Sequence, residues 1–100
     1  MSQYVFRING QYIAFINNSN LFSTNGKYLG WINNSLVWNT RGHFIGELKN
    51  LRGQFYILQN PIHSTHMPQI PKIPPVPPVP PVPPIPIISI IPPIGYKDSL

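Results

Sequence analysis

Cysteine is absent from the 100 residues, and only two side chains, Glu47 and Asp98, carry a carboxylate. Without thiols there is neither a disulfide framework nor a thiolate zinc site. With one acidic side chain in each half of the chain, general acid–base pairs, carboxylate metal sites and serine triads lack their parts. No glycine-rich phosphate loop is present; the glycines are spaced for hairpins instead. These shortages predict a protein that is not an enzyme and carries no cofactor. His63 and His66 have a spacing that suits one metal ion, but no third ligand accompanies them, so no metal site is expected. His43, just after a turn glycine, reads as solvent-facing. Residues 1–8 lack the basic start and long apolar run of a signal peptide, so the expected location is cytoplasmic. Proline is missing from the first 60 residues; all 14 prolines fall between Pro61 and Pro93. The chain therefore divides into residues 1–60 with the composition of a core, a linker over 61–72, and a tail over 73–100.

The first segment is built on a repeated phrase. Gly10, Gly26, Gly42 and Gly53 are each followed two residues later by an aromatic, namely Tyr12, Tyr28, Phe44 and Phe55. Ile13, Leu29 and Ile45 come next, then a small residue at Ala14, Gly30 and Gly46. An aliphatic–aromatic pair precedes the first three glycines: Val5-Phe6, Leu21-Phe22 and Val37-Trp38. The glycines bend the chain at turns, and a unit this short holds one β-hairpin. Ser or Asn three residues before a glycine suits a type I turn closed by a left-handed residue in a G1 bulge. A tighter type I′ turn also fits Asn9-Gly10 and Asn25-Gly26. Arg41 and Arg52 disfavour positive φ, which predicts the bulged turn at least there. Asn17 to Asn20 and Asn33 to Ser35 read as a second set of turns joining one hairpin to the next. Alternation places Tyr28, Gly30 and Ile32 on one face and Leu29 and Trp31 on the other. The small residues suggest close approach of strands near a common axis, or simple relief of crowding beside Trp31 and Phe44.

The run Gly26-Lys27-Tyr28-Leu29-Gly30-Trp31-Ile32 and its weaker copies resemble the 4-fold β-flower domain family over about residues 3–60. The resemblance implies an all-β fold of four short β-hairpin repeats around a pseudo-fourfold axis, often followed by a proline-rich stretch, and it implies no activity. There are departures from the pattern: the last glycine spacing shortens, Glu47 replaces the aromatic found at Phe15 and Trp31, and Ile57 replaces the small residue. A domain of this size buries only ~60% of its unfolded surface. Self-association, or docking of the tail against the hairpins, would supply further stability.

In the tail, proline fixes φ, removes amide donors and biases its neighbours towards extended geometry, which excludes helix and central strand. An extended, polyproline II or disordered segment is expected. Ile70, Ile73, Val76, Val79, Val82, Ile85, Ile88, Ile91 and Ile94 keep the three-residue period of polyproline II and predict an aliphatic ridge ~74 Å long on one side. The proline-free run Ile87 to Ile91 is where that helix is expected to break. The prolines also exclude a transmembrane helix. Three roles fit the tail. It is a stiff spacer, or a ligand for an aromatic-lined groove elsewhere, or a ligand for a groove made by the Tyr and Trp residues of this same chain. Lys72, Pro75 and Pro78 match the basic-x-x-Pro-x-x-Pro pattern of SH3-type ligands, with Val76, Val79 and Val82 as further partner-binding candidates.

Within residues 1–60, Arg7, Lys27, Arg41, Lys49 and Arg52 face only Glu47. If they clustered on one rim beside exposed Tyr12 or Tyr56, they would suit single-stranded nucleic acid. The same charges also serve simple solvation. The expected function is therefore a protein-interaction or assembly module, acting through the tail or by self-association, with a small basic nucleic-acid-binding module as the alternative.

Overall fold

A computed structural model describes residues 3–60, 66–76, 78–85 and 87–100. The aliphatic–aromatic phrases form strands β1 (Gln3–Phe6), β2 (Tyr12–Asn17), β3 (Asn20–Ser23), β4 (Tyr28–Asn33), β5 (Leu36–Asn39), β6 (Phe44–Leu51) and β7 (Gln54–Gln59). Each pairs antiparallel with the next, and β1 pairs parallel with β7 through Val5↔Phe55 and Phe6↔Tyr56, closing a seven-stranded barrel. A short β8 (Lys97–Asp98) adds to the end of β7. The described residues contain no helix, so none is long and apolar enough to cross a membrane.

Two kinds of turn alternate. At Gly10, Gly26 and Gly42 the glycine N–H donates to the carbonyl three residues back (2.9–3.0 Å), and the strand-closing bond spans four residues. Those glycines have φ of 82–92°, and the register slips beside each turn. This is the expected bulged turn, and it rules out the tighter type I′ form at Asn9-Gly10 and Asn25-Gly26. Side chains hold the geometry: Asn39 Oδ1 accepts from the N–H groups of Arg41 and His43, and Ser23 Oγ accepts from Lys27 N–H. The opposite rim carries two-residue turns at Asn18-Ser19 and Asn34-Ser35, all four residues with φ between 51° and 64°. Such turns match the right-handed twist of the paired strands.

Arg52-Gly53 belongs to this second kind, with φ of 55° and 80°, which corrects the bulged turn expected there. The left-handed arginine costs roughly 1 kcal/mol, and the five-pair β6–β7 ladder next to it holds the turn in place. Gly53 is therefore not the fourth member of the series, but the partner of Ser19 and Ser35 on the other rim. Three complete hairpins plus β1 make the barrel.

The bulge also corrects the expected faces. Leu21 faces Gly30 and Phe22 faces Tyr28, which leaves Leu29 as the extra residue. Leu29 packs with the interior cluster of Val5, Ala14, Ile16, Leu21, Val37 and Ile57, while Tyr28 packs on Phe22. An extra residue shifts the two-residue alternation by one, so Tyr28 joins Trp31 and parts from Gly30. The cluster draws on β1, β2, β3, β5 and β7 and so fills the barrel. Gly30 gives the close approach expected of it: a Cβ there would overlap the Trp38 carbonyl oxygen of β5. At Gly46 a Cβ would meet the Leu58 carbonyl of the neighbouring strand β7 at 2.9 Å and, from the C-terminal segment, Ser99 Oγ at 2.5 Å.

Candidate functional site

Filling a narrow barrel with small and aliphatic side chains leaves the aromatics on its outer wall. Phe6, Phe15, Phe22, Trp31, Trp38 and Tyr56 are nonetheless buried. Burying an aromatic side chain is worth roughly 1.5–3 kcal/mol, so a bare outer wall of six would be strongly unfavourable. The proline-rich segment packs against this wall.

Its path can be followed contact by contact. His66 lies 4.2 Å from the Phe44 ring and edge-on to Trp38. Gln69 N–H donates to the Gly42 carbonyl at 2.7 Å. Lys72 Nζ sits 5.3 Å from the Trp31 ring centre. Pro78 and Pro80 pass over Gly26, and the Val82 carbonyl accepts from the Tyr4 hydroxyl at 2.7 Å. Ile87 and Ile90 donate to the Gly10 and Ile8 carbonyls and pack with Phe6, Tyr56 and Leu58. Tyr96 ends beside β6, its hydroxyl 3.3 Å from Glu47 Oε2 and its ring 4.9 Å from Lys49 Nζ. Starting and finishing at β6, the segment makes one circuit of the barrel as a collar.

Glu47 stands where the earlier repeats have Phe15 and Trp31. The ring missing at that site is supplied from the collar by Tyr96, and Lys49 pairs with Glu47 at 3.5 Å. Beyond Tyr96, β8 lies along β7 where β1 has ended. Asp98 Oδ1 accepts from Ile8 N–H at 3.0 Å, Arg7 Nε donates to the Leu100 main-chain oxygen at 3.0 Å, and Leu100 packs on the interior cluster. The tail thus supplies a last strand, β8, to the sheet.

Collar residues alternate in burial with a period of three. Pro75, Pro78, Pro81, Pro84, Ile87, Ile90 and Pro93 are half-buried against the barrel. The nine aliphatics from Ile70 to Ile94 are 81–99% exposed. The expected ridge is present, and it faces outward. It also continues through Ile87 to Ile91, where a break was expected, because the bonds to Gly10 and Ile8 fix the backbone there. Val76, Val79 and Val82 are thus on the open side, while Pro75 and Pro78 face the barrel and Lys72 is engaged with Trp31. The SH3-like pattern is occupied within the chain. His63, the other half of the histidine pair, lies outside the described residues.

The cations divide between the rims. Arg7, Lys27 and Arg41 belong to the bulged turns, Arg52 to the opposite rim, and Lys49 to β6. They do not form the single-rim cluster expected. Lys27, Arg41 and Arg52 are exposed, and so is Lys72 in the collar. Where the collar passes Arg52, two clefts of about 420 and 330 Å³ open, lined by Arg52 with Ile87 to Ile90 and with Ile90 to Pro93 respectively. Tyr56 in the first is buried, which raises its pKa; nearby Arg52 lowers it and Asp98 raises it further. The hydroxyls of Tyr12 and Tyr28 are buried without a hydrogen-bond partner, and desolvation raises both above the usual tyrosine value. The aromatics proposed for base stacking are therefore covered at Tyr56 and half-buried at Tyr12.

The ridge and the cations are legible in the sequence, whereas the seam formed by Asp98, Arg7 and Leu100 is not. The signal available was Asp98 itself, one of two acids, in a segment otherwise suited to solvent.

No curated protein and no solved structure matches the chain. A family model described as 4-fold beta flower protein matches residues 1–97, the collar included. A closed, helix-free β-barrel agrees with that description, and the chain belongs to the 4-fold beta flower family.

Proposed function

We propose that this protein is a non-enzymatic interaction or assembly module. In this reading the fold is a four-petal flower in which β1 is half of the fourth petal. The tail is a polyproline II strand bound in cis, which shapes its aliphatic side into a curved contact strip. The observation that carries the reading is the exposure of nine aliphatic residues on a segment that is itself docked. Contiguous apolar surface of this extent marks an interaction site. A chain serving only as a spacer would leave the proline side as open as the aliphatic side.

The test compares the full chain with Val76→Ser/Val79→Ser/Val82→Ser, both in pull-downs from the native host and in sedimentation velocity. Loss of captured components or of self-association in the variant is expected. The same captured set and the same sedimentation profile would overturn the proposal.

Exposed Lys27, Arg41 and Arg52 support the nucleic-acid alternative, because cations pair with phosphates. The burial of the aromatic rings counts against it, since stacking supplies much of single-strand affinity. Micromolar gel-shift binding that weakens steeply with salt is the result that would favour it.

A further inference from the structure

The strongest unexplained feature is the company the ridge keeps. Arg41 adjoins Gly42, whose carbonyl holds Gln69, next to Ile70. Lys72 precedes Ile73. Lys27 adjoins Gly26, over which Pro78 and Pro80 pass on either side of Val79. Arg52 lines one cleft with Ile88 and the other with Ile91. Four exposed cations thus stand beside the ridge at intervals along its length. Both acids are already engaged: Glu47 by Lys49 and Tyr96, and Asp98 by the Ile8 N–H.

From this juxtaposition we propose that one arc of the ridge, Ile70 to Val82 with Arg41, Lys72 and Lys27, forms a docking strip for an anionic lipid surface. The proposal rests on the interaction-module reading and names its partner. Aliphatic side chains entering the boundary between headgroups and acyl chains, with cations held at headgroup level, is the balance by which peripheral elements lie on membranes. The shape agrees. The molecule is a disc of 35 × 35 × 17 Å, and the ridge follows the collar around it. A bilayer cannot wrap a rim of this radius, so it meets one arc of the ridge at a time, and the arc from Ile70 to Val82 has Arg41, Lys72 and Lys27 beside it.

Charge sets aside the other occupants. The chain carries a formal net charge of +5, and two copies meeting through this arc would crowd Lys27, Arg41 and Lys72 of both into one interface. A nucleic acid would satisfy the cations but offers the aliphatics nothing to be buried in.

The experiment is flotation of the full chain with vesicles of phosphatidylglycerol and phosphatidylcholine, against vesicles of phosphatidylcholine alone. Preferential binding to the anionic vesicles is expected, falling at least about tenfold in about 0.5 M salt as the surface charge is screened. Val76→Ser/Val79→Ser/Val82→Ser should lower binding by at least about tenfold through lost apolar burial. Lys27→Gln/Arg41→Gln should lower it about fivefold for each cation removed. All the altered side chains are exposed, so a thermal melt matching the parent shows that the fold is kept. Equal binding to both vesicle types, or binding indifferent to the valine changes, overturns the lipid proposal. Ridge-dependent self-association without flotation also overturns it, while leaving the interaction module standing. Salt-sensitive oligonucleotide binding that ignores the valines overturns both readings.

Discussion

Two glycines in the same barrel separate the cost of backbone conformation from the cost of space. Gly53 has φ of 80° with no heavy atom near the position a Cβ would take, so Gly53→Ala carries the left-handed penalty alone. Gly30 has φ of 153°, and its Cβ would run into the β5 backbone. Denaturant unfolding should place Gly53→Ala about 1–2 kcal/mol below the parent, and Gly30→Ala at least about 3 kcal/mol below it. The tyrosines give a second residue-scale expectation. Burial raises the folded-state pKa of Tyr12 and Tyr28 above the unfolded value near 10. The neutral form is the one the fold favours. Stability is therefore full below that pH and declines as pH rises towards the folded values. Melts followed by circular dichroism at about pH 8 and about pH 11 should show a lower midpoint at the higher pH, and Tyr12→Phe/Tyr28→Phe should flatten the loss. An equal loss in that variant would locate the alkaline sensitivity elsewhere.

At the scale of elements, the strands and bulged turns were legible because Gly10, Gly26 and Gly42 recur with their flanking aromatics. Gly53 misled because a glycine followed by an aromatic two residues on looks alike in either kind of turn. Gly26 and Gly42 each follow the preceding turn glycine across two strands, whereas Gly53 follows Gly42 across β6 alone and so lies on the other rim. The face assignment of Tyr28 and Leu29 failed for a related reason: a bulge residue breaks alternation without changing composition. For the tail, the three-residue period fixed which residues share a side. Which side faces the barrel depends on the aromatic wall, which forms only after β1 to β7 have closed. The collar's part in stability is measurable by amide exchange. Removing residues 61–100 should strip protection from β7 and from the β1–β2 turn, where Ile8 and Gly10 receive collar bonds. Protection identical to that of the full chain would mean that the collar adds nothing to the fold. A narrower change, Asp98→Ala, leaves the Ile8 N–H without its acceptor and should cost about 1–2 kcal/mol.

For the whole molecule, a domain of about 60 residues is marginal by burial alone, and the collar covers the aromatic wall that the barrel leaves outside. The order in which the collar meets the barrel carries a further consequence. It touches Phe44, then Gly42, Trp31, Gly26, Tyr4 and Gly10, largely retracing the sheet in reverse. The contacts become more remote in sequence as far as Tyr4–Val82, 78 residues apart; Tyr96 then turns back to Glu47 at 49, while Ile8–Asp98 and Arg7–Leu100 span 90 and 93. Closing any of the last loops from an open chain is slow. Once Gln69 is seated on Gly42, however, each later contact needs only a few more residues to be laid down beside the last. Assembly then runs as a zipper from one end, and a steady pull on Leu100 would undo it tooth by tooth in the opposite order. Under such a pull the aromatic wall would be uncovered in stages, with β1 and β7 bared first and Trp31 and Trp38 last.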